Sequence, residues 1–184
     1  MLKKIQKVVG LKMLQRYKLR SQKISNTSLN HCFDSIRKML KKSKYCFLIS
    51  NSNRPWPSAR MVQPIIDFDS FEIWLGTNPS LRKVKEIEVN PHVTLAFGDE
   101  KENANLIVHG SAELIRTNDE RKKHWIFSWL LFFPEGPKGD DFISIRIVPA
   151  EIELMNFKRN VVYAEPYGLK PVKIIKEDNN WKIQ

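Results

Sequence analysis

Apolar residues recur along this chain first at helical and then at strand spacing. After Ser28, the side chains Leu29, Phe33, Ile36 and Leu40 fall three or four positions apart, which predicts a helix capped by Ser28. Upstream, Leu2, Ile5, Val9 and Met13 predict an amphipathic helix that frays through Ser21, Ser25, Asn26 and Thr27. From Tyr45 the period changes to two. Tyr45 to Ser50 and Ser58 to Pro64 read as strands flanking the turn cluster Asn51-Ser52-Asn53-Arg54-Pro55. Phe71, Ile73 and Leu75 then alternate with Glu72 and Trp74, after a turn at Asp67 to Ser70. His92 to Phe97 and Leu106 to Ile115 form a hairpin across Asp99 to Asn103, with Leu106, Val108 and Gly110 on one face and Ile107 and His109 on the other. Phe142 to Val148 and Glu151 to Asn156 follow on either side of Pro149-Ala150.

Between these runs, Thr117 or Asn118 caps a helix with Asp119 and Glu120 in its first turn, running on through Trp125, Ile126, Trp129 and Leu130. Phe132-Phe133-Pro134-Glu135-Gly136-Pro137 must then leave it. Val172 to Ile175 and Trp181 to Ile183, around Asp178-Asn179-Asn180, predict a small hairpin or an extended arm lying on a partner. The pattern is mainly β (α+β): six or seven antiparallel strands in a closed or split barrel, two main flanking helices and a short helical crossover. Residues 1–27 read as a basic, flexible arm, 28–157 as the barrel domain and 158–184 as a C-terminal extension.

At 184 residues the chain suits one domain with a sizeable core. No apolar run approaches the roughly 20 residues of a membrane span. Cys32 and Cys46 are too few and too far apart for a disulfide framework and read as small buried hydrophobes. The net charge of +11 is concentrated at one end: residues 1–33 hold eight Lys or Arg and no acid, so the remaining 23 basic residues face 20 acidic ones. Such a tail reads as a solvated arm, as a basic segment for nucleic acid or anionic lipid, or as an import peptide. The nearly neutral remainder, without interleaved aromatic and basic residues, argues against nucleic acid.

Candidate chemistry sits in Ile73 to Gly98, reading IWLGTNPSLRKVKEIEVNPHVTLAFG. A strand passes through Thr77, Asn78, Pro79 and Ser80 into a short helix carrying Arg82 and Lys83, and returns through Asn90-Pro91 to a second strand. Hydroxyl and amide groups at a helix entrance, with first-turn N–H groups and two cations, suit a phosphate. The plainer reading is a solvated basic helix face. No nucleophile elbow, paired carboxylate motif, HExxH, GxGxxG or Walker loop is present. His31, His92, His109 and His124 lack metal-like spacing and read as solvated or hydrogen-bonded histidines, so no catalytic side chain and no metal ligand is assigned.

The order Thr77-Asn78, a spacer, Arg82-Lys83, Glu86-Ile87, Asn90-Pro91 and a hydrophobic strand resembles the FMN-binding split barrels typified by pyridoxamine 5'-phosphate oxidase. The phrase WLLFFPEGP, followed by Asp140, Asp141 and Phe142, is similar to a loop of their general stress protein branch. The resemblance spans roughly Leu29 to Asn156. It implies that Arg60, Arg82 and Lys83 hold the phosphate, that Thr77 and Asn78 add hydroxyl or backbone bonds, and that the ring lies along Met61 and Val62. It implies a homodimer with the cofactor between subunits, for which Trp125, Trp129 and Phe133 are either interface or core. Vitamin-phosphate oxidation is disfavoured, because Glu153-Leu154-Met155-Asn156 and Phe157 to Tyr163 lack the Glu-aromatic-Trp and Arg-x-His-x-Arg patterns of true oxidases.

The resulting expectation is a cytoplasmic FMN-dependent oxidoreductase of unknown small substrate, with organellar import through the basic segment as the alternative location. A flavin ring carries its own redox chemistry, which suits a chain without a recognisable catalytic base. The rival is a non-enzymatic stress-related protein binding flavin, deazaflavin, FAD or haem.

Overall fold

The computed structural model describes residues 2–24, 27–165 and 168–184. Helix α1 (Leu2–Ile24) leads to α2 (Leu29–Lys42), which begins at Ser28 with extended backbone at the cap. The expected fraying at Ser25 and Asn26 lies outside the described residues. In α1 the apolar residues do not form one stripe: Ile5, Val8, Val9, Leu11, Met13, Tyr17 and Leu19 are all exposed. The amphipathic pattern expected from Leu2, Ile5, Val9 and Met13 does not persist, because Arg16, Arg20 and Lys23 fall on the continuation of that stripe. Among the described residues, no helix is long and apolar enough to cross a membrane.

Helix α2 is strongly two-sided. Cys32, Phe33, Ile36, Met39 and Leu40 are buried, and Lys41 and Lys42 complement the negative end of the helix. Burial pushes the Cys32 and Cys46 thiols up to about 11 and about 12, so both are unreactive core residues, as their sequence context suggested.

The strands are β1 (Cys46–Ser50), β2 (Ser58–Val62), β3 (Ile65–Ile66), β4 (Ile73–Thr77), β5 (His92–Asp99), β6 (Ala104–Ile115) and β7 (Ile143–Asn156). After β7 come β8 (Tyr163–Glu165), β9 (Gly168–Lys170), β10 (Val172–Glu177) and β11 (Asn180–Ile183). Nine form one antiparallel sheet ordered β11-β10-β7-β6-β5-β1-β2, with β4 pairing β7 and β3 pairing β4. The 14-residue β7 is the hinge of the architecture: its first half pairs β4, its second half pairs β10, and β6 runs along its whole other edge. Strand β2 ends the main path of the sheet and β3 ends the branch that leaves β7 through β4, yet only Gln63 and Pro64 separate them, so the chain itself closes the barrel. The expected mainly β (α+β) architecture is the observed one.

Three departures have physical causes. The strand count exceeds six or seven because β3 is only two residues long and because β10 and β11 extend the sheet beyond β7. The two strands expected around Pro149-Ala150 are one, since a bulge absorbs the irregularity: His109 faces Glu151 and Gly110 faces Pro149. The helix expected through Leu130 stops early. Helix α4 (Asn118–Lys123) ends where His124 stacks on Trp74 at 3.6 Å, and a 3-10 turn (Phe127–Leu131) replaces the rest. Trp74, which alternates with Ile73 and Leu75 along β4, is buried as they are.

The main core lies inside the barrel, with Leu48, Leu95, Leu106, Ile145, Ile147, Ile152 and Leu154 fully buried beneath α2. Each contributes about 1.5–3 kcal/mol relative to exposure. A second cluster of Trp129, Phe133 and Phe142, with Trp125 packed on it, lies beyond β4. Trp125 meets Phe142 edge-on at 4.8 Å. Trp129 and Phe133 are buried and Trp125 is half-buried against them, while the neighbouring Phe127 and Phe132 are exposed.

Candidate functional site

Strand alternation on β2 places Ser58, Arg60 and Val62 toward the barrel side and leaves Met61 exposed. Helix α3 (Arg82–Val89) follows β4 through Asn78, whose side-chain oxygen accepts the Ser80 N–H at 2.9 Å and the Ser80 hydroxyl at 2.6 Å. This turn aims the start of α3 at β2. Leu81 is the N-cap and makes no side-chain hydrogen bond, so no capping side chain occupies the first-turn N–H groups of α3.

Glu86 organises those cations. It sits on the inner side of α3 with Val84 and Ile87, almost fully buried. Ser50 Oγ donates to it at 2.6 Å, Ser58 Oγ at 2.7 Å and Arg60 Nη2 at 2.5 Å, while Arg82 Nε lies 3.1 Å away. Burial alone would raise the Glu86 pKa. The hydrogen bonds from Ser50, Ser58 and Arg60, with the charge of Arg60, outweigh it and hold the carboxyl at about 2. Arg60 also donates to Ser50 Oγ at 2.5 Å, which fixes the guanidinium from two sides.

Lys83 is different. Its ammonium donates to Thr77 Oγ1 at 3.1 Å, and its pKa is lowered, first by desolvation and then by the neighbouring Arg60. One buried carboxylate thus serves two arginines, while the adjacent half-buried lysine has a hydroxyl partner. An anion is the group this arrangement best accommodates.

Two cavities meet here. One, of about 310 Å³, is lined by Arg60, Leu81, Arg82 and Lys83. The other, of about 410 Å³, shares Leu81 and Lys83 and continues past Met61, Val62, Thr77 and Asn78 to Trp129, Phe132 and Phe133. All seven candidate residues, Arg60, Met61, Val62, Thr77, Asn78, Arg82 and Lys83, line one cavity or the other. Their roles divide: the cations gather at one end, and apolar side chains form the other. That is the usual make-up of a small-molecule site, a largely apolar pocket with a few convergent polar groups.

The aromatic wall is held from behind. Arg121, buried at the end of α4, donates to the carbonyl oxygens of Gly139 at 2.8 Å and Lys138 at 3.2 Å, and also bonds the Phe142 carbonyl and the Asn118 side chain. This anchors the loop after Phe133. Sequence reasoning missed Arg121, Glu86's buried role, and Ser50 and Ser58. Only Glu86 carried a usable signal, its i,i+4 spacing from Arg82.

A family model described as pyridoxamine 5'-phosphate oxidase matches residues 33–156, more than half of the chain. The chain belongs to the pyridoxamine 5'-phosphate oxidase family. Solved structures of similar fold include a protein related to general stress protein 26 of B. subtilis, from Clostridium acetobutylicum. It is 17% identical, with a TM-score of 0.65 over 78% of this chain and 93% of that one. General stress protein 26 from Bacillus anthracis str. Sterne is 21% identical, with a TM-score of 0.59 over 68% of this chain and 94% of that one. A pyridoxamine 5'-phosphate oxidase-related, FMN binding protein from Nostoc punctiforme is 12% identical, with a TM-score of 0.60 over 82% and 94%. No curated protein sequence matches the chain. In this family member, the split-barrel strands β2 and β4 and the start of α3 bring the conjoined cavities together.

Proposed function

We propose that this protein binds FMN, with the phosphate at Arg60, Arg82 and Lys83 and the ring along Met61 and Val62 against the wall of Trp129, Phe132 and Phe133, and that it is an FMN-dependent oxidoreductase. The observation that carries the reading is Lys83, a desolvated ammonium beside two arginines that share one carboxylate. The residues fit the group: a cationic end for a phosphate and an apolar end for a ring. FMN, when bound, supplies hydride-accepting and hydride-returning chemistry through its ring. The chain's own contribution is to hold the phosphate, to orient the ring through Met61 and Val62, and to keep water from one side with the aromatic wall.

The substrate is a small molecule other than a vitamin phosphate, since the C-terminal segment after Glu153 lacks the substrate-holding pattern. The protein acts as a homodimer, an arrangement supported by the exposure of Phe132, which lines the larger of the two cavities, and of Phe127 and Leu131 on the adjoining 3-10 turn, apolar surface that a second copy can cover.

The test is an absorbance spectrum of purified protein before and after incubation with FMN, with excess removed by gel filtration. One oxidised flavin per chain is the expected result, followed by bleaching with a nicotinamide nucleotide. A protein that retains no flavin overturns the reading. Retained flavin without turnover leaves the site standing and points to a non-enzymatic role, and a Soret band instead of flavin bands indicates haem.

A further inference from the structure

The flavin proposal leaves untouched a larger cavity, of about 770 Å³, on the outer face of β5, β6 and β7. Its lining includes Thr94, His109 and Glu151, and beside it stands Glu153. One ligand atom each from His109, Glu151 and Glu153 lies within 4.8 Å of those of the other two, and all three side chains are half-buried. Linear spacing hides this group because its members come from two strands.

Their convergence follows from the register. Glu151 and Glu153 are two apart on β7 and so project from the same face, and His109 on β6 stands directly opposite Glu151. The bulge at His109/Gly110 fixes this pairing. Only glycine fits next to it, since a Cβ on Gly110 would lie 2.5 Å from the Val148 carbonyl oxygen. The imidazole is oriented as well, because Thr94 Oγ1 and His109 Nδ1 are hydrogen-bonded at 2.9 Å. With Nδ1 donating its proton to Thr94 Oγ1, Nε2 is the nitrogen free to ligate, the arrangement in which a hydrogen bond on one ring nitrogen fixes the other for a metal.

Charge points the same way. Two carboxylates converge, and among the described residues the cation paired to them is Lys173, 2.9 Å from Glu151. Glu153 has no ion pair among the described residues. A tetrahedral ion with bonds of about 2.0–2.2 Å needs donors roughly 3.4 Å apart. Rotamer adjustments of about an ångström close the three ligands to that spacing, and Lys173 is long enough to swing away.

We propose that His109, Glu151 and Glu153 form a binding site for a first-row divalent transition-metal ion of the zinc class, cross-linking β6 and β7 and leaving an open coordination position toward the cavity. One imidazole nitrogen with two carboxylates favours such ions over magnesium or calcium, which take all-oxygen shells.

The test uses untagged full-length protein, stripped with chelator and titrated with zinc chloride by calorimetry, with magnesium chloride as the comparison. One zinc per chain binds, magnesium does not compete, and zinc at a hundredfold excess over its dissociation constant raises Tm by about 5–10 °C. His109→Gln and Glu153→Gln each weaken zinc binding at least tenfold, whereas His92→Gln, in the same cavity, leaves it intact. Absence of a saturable zinc site in the wild-type chain overturns the proposal, whatever the variants do. Binding that persists in both ligand variants, or that disappears in His92→Gln, overturns the ligand assignment.

Discussion

Replacing Glu86 by Gln removes one charge and little volume from the centre of the candidate site. In the wild-type chain this carboxyl accepts from Ser50, Ser58 and Arg60 at 2.5–2.7 Å. Its pKa is held at about 2 against an ordinary 4.5. That gap corresponds to about 3 kcal/mol of stability. The sign is that of a depressed carboxyl: the contribution is complete above pH ~4.5 and is lost as the pH falls toward ~2, leaving less than half of it at pH ~3. The glutamine amide can still accept, but it leaves the Arg60 guanidinium without its counter-charge, which costs about 3–5 kcal/mol when the cation is buried. For a chain of this length, each kcal/mol moves Tm by about 2–4 °C. Glu86→Gln should therefore melt roughly 6–12 °C below wild type at pH 7, measured by circular dichroism. The gap should shrink by more than half by pH ~3. Glu102, whose carboxyl is also held at about 2, is present in both proteins and cancels from the difference. A gap below about 2 °C at pH 7, or one that stays constant with pH, would refute the counter-ion role.

Three further substitutions test the supports of the fold and the site. Asn156→Ala removes the buried bond from Nδ2 to Glu102 Oε2 at 2.8 Å, and should cost about 2–3 kcal/mol in a urea melt while raising the acid-unfolding midpoint; an unchanged midpoint would show that Lys42 and Arg159 suffice to hold Glu102. Arg121→Lys keeps the charge but loses the planar fork that reaches several acceptors at once, so about 2–3 kcal/mol of stability and the near-ultraviolet signal of Trp125 and Trp129 should be lost, and an unaltered spectrum counts against the anchoring role. Gly76→Ala places a Cβ at 2.8–2.9 Å from the Trp129 and Phe142 rings, which should cost about 1–3 kcal/mol and alter tryptophan fluorescence; wild-type values for both would mean that the aromatic cluster yields freely.

The hairpins, the central strand, helix, strand unit and the Arg60 strand were legible in the sequence because alternation and turn residues are local signals. The helix through Trp125 was not, because its end is decided by the stacking of His124 on Trp74, some fifty residues away in the chain. The same limit applies to the site. Arg60, Arg82 and Lys83 could be named from motif order. Glu86 looked like one acid on a charged helix, and its burial depends on Ser50 and Ser58 arriving from β1 and β2. The exposure of Ile5, Val9 and Met13 in α1 shows the opposite failure, a locally plausible stripe that later cations interrupt.

If FMN is the ligand, its phosphate is recognised by the cluster at the start of α3. The most direct measurement is the ratio of dissociation constants for riboflavin and FMN, by flavin fluorescence quenching, in the wild-type chain and in the double variant Arg82→Ala/Lys83→Ala. Charge-assisted hydrogen bonds contribute about 1.5–3 kcal/mol each, so the wild-type protein should prefer FMN by roughly a hundredfold or more. In the double variant that preference should fall by at least tenfold, with riboflavin affinity little changed. Equal affinity for the two flavins in the wild-type chain, or a preference that survives the double substitution, would contradict the account.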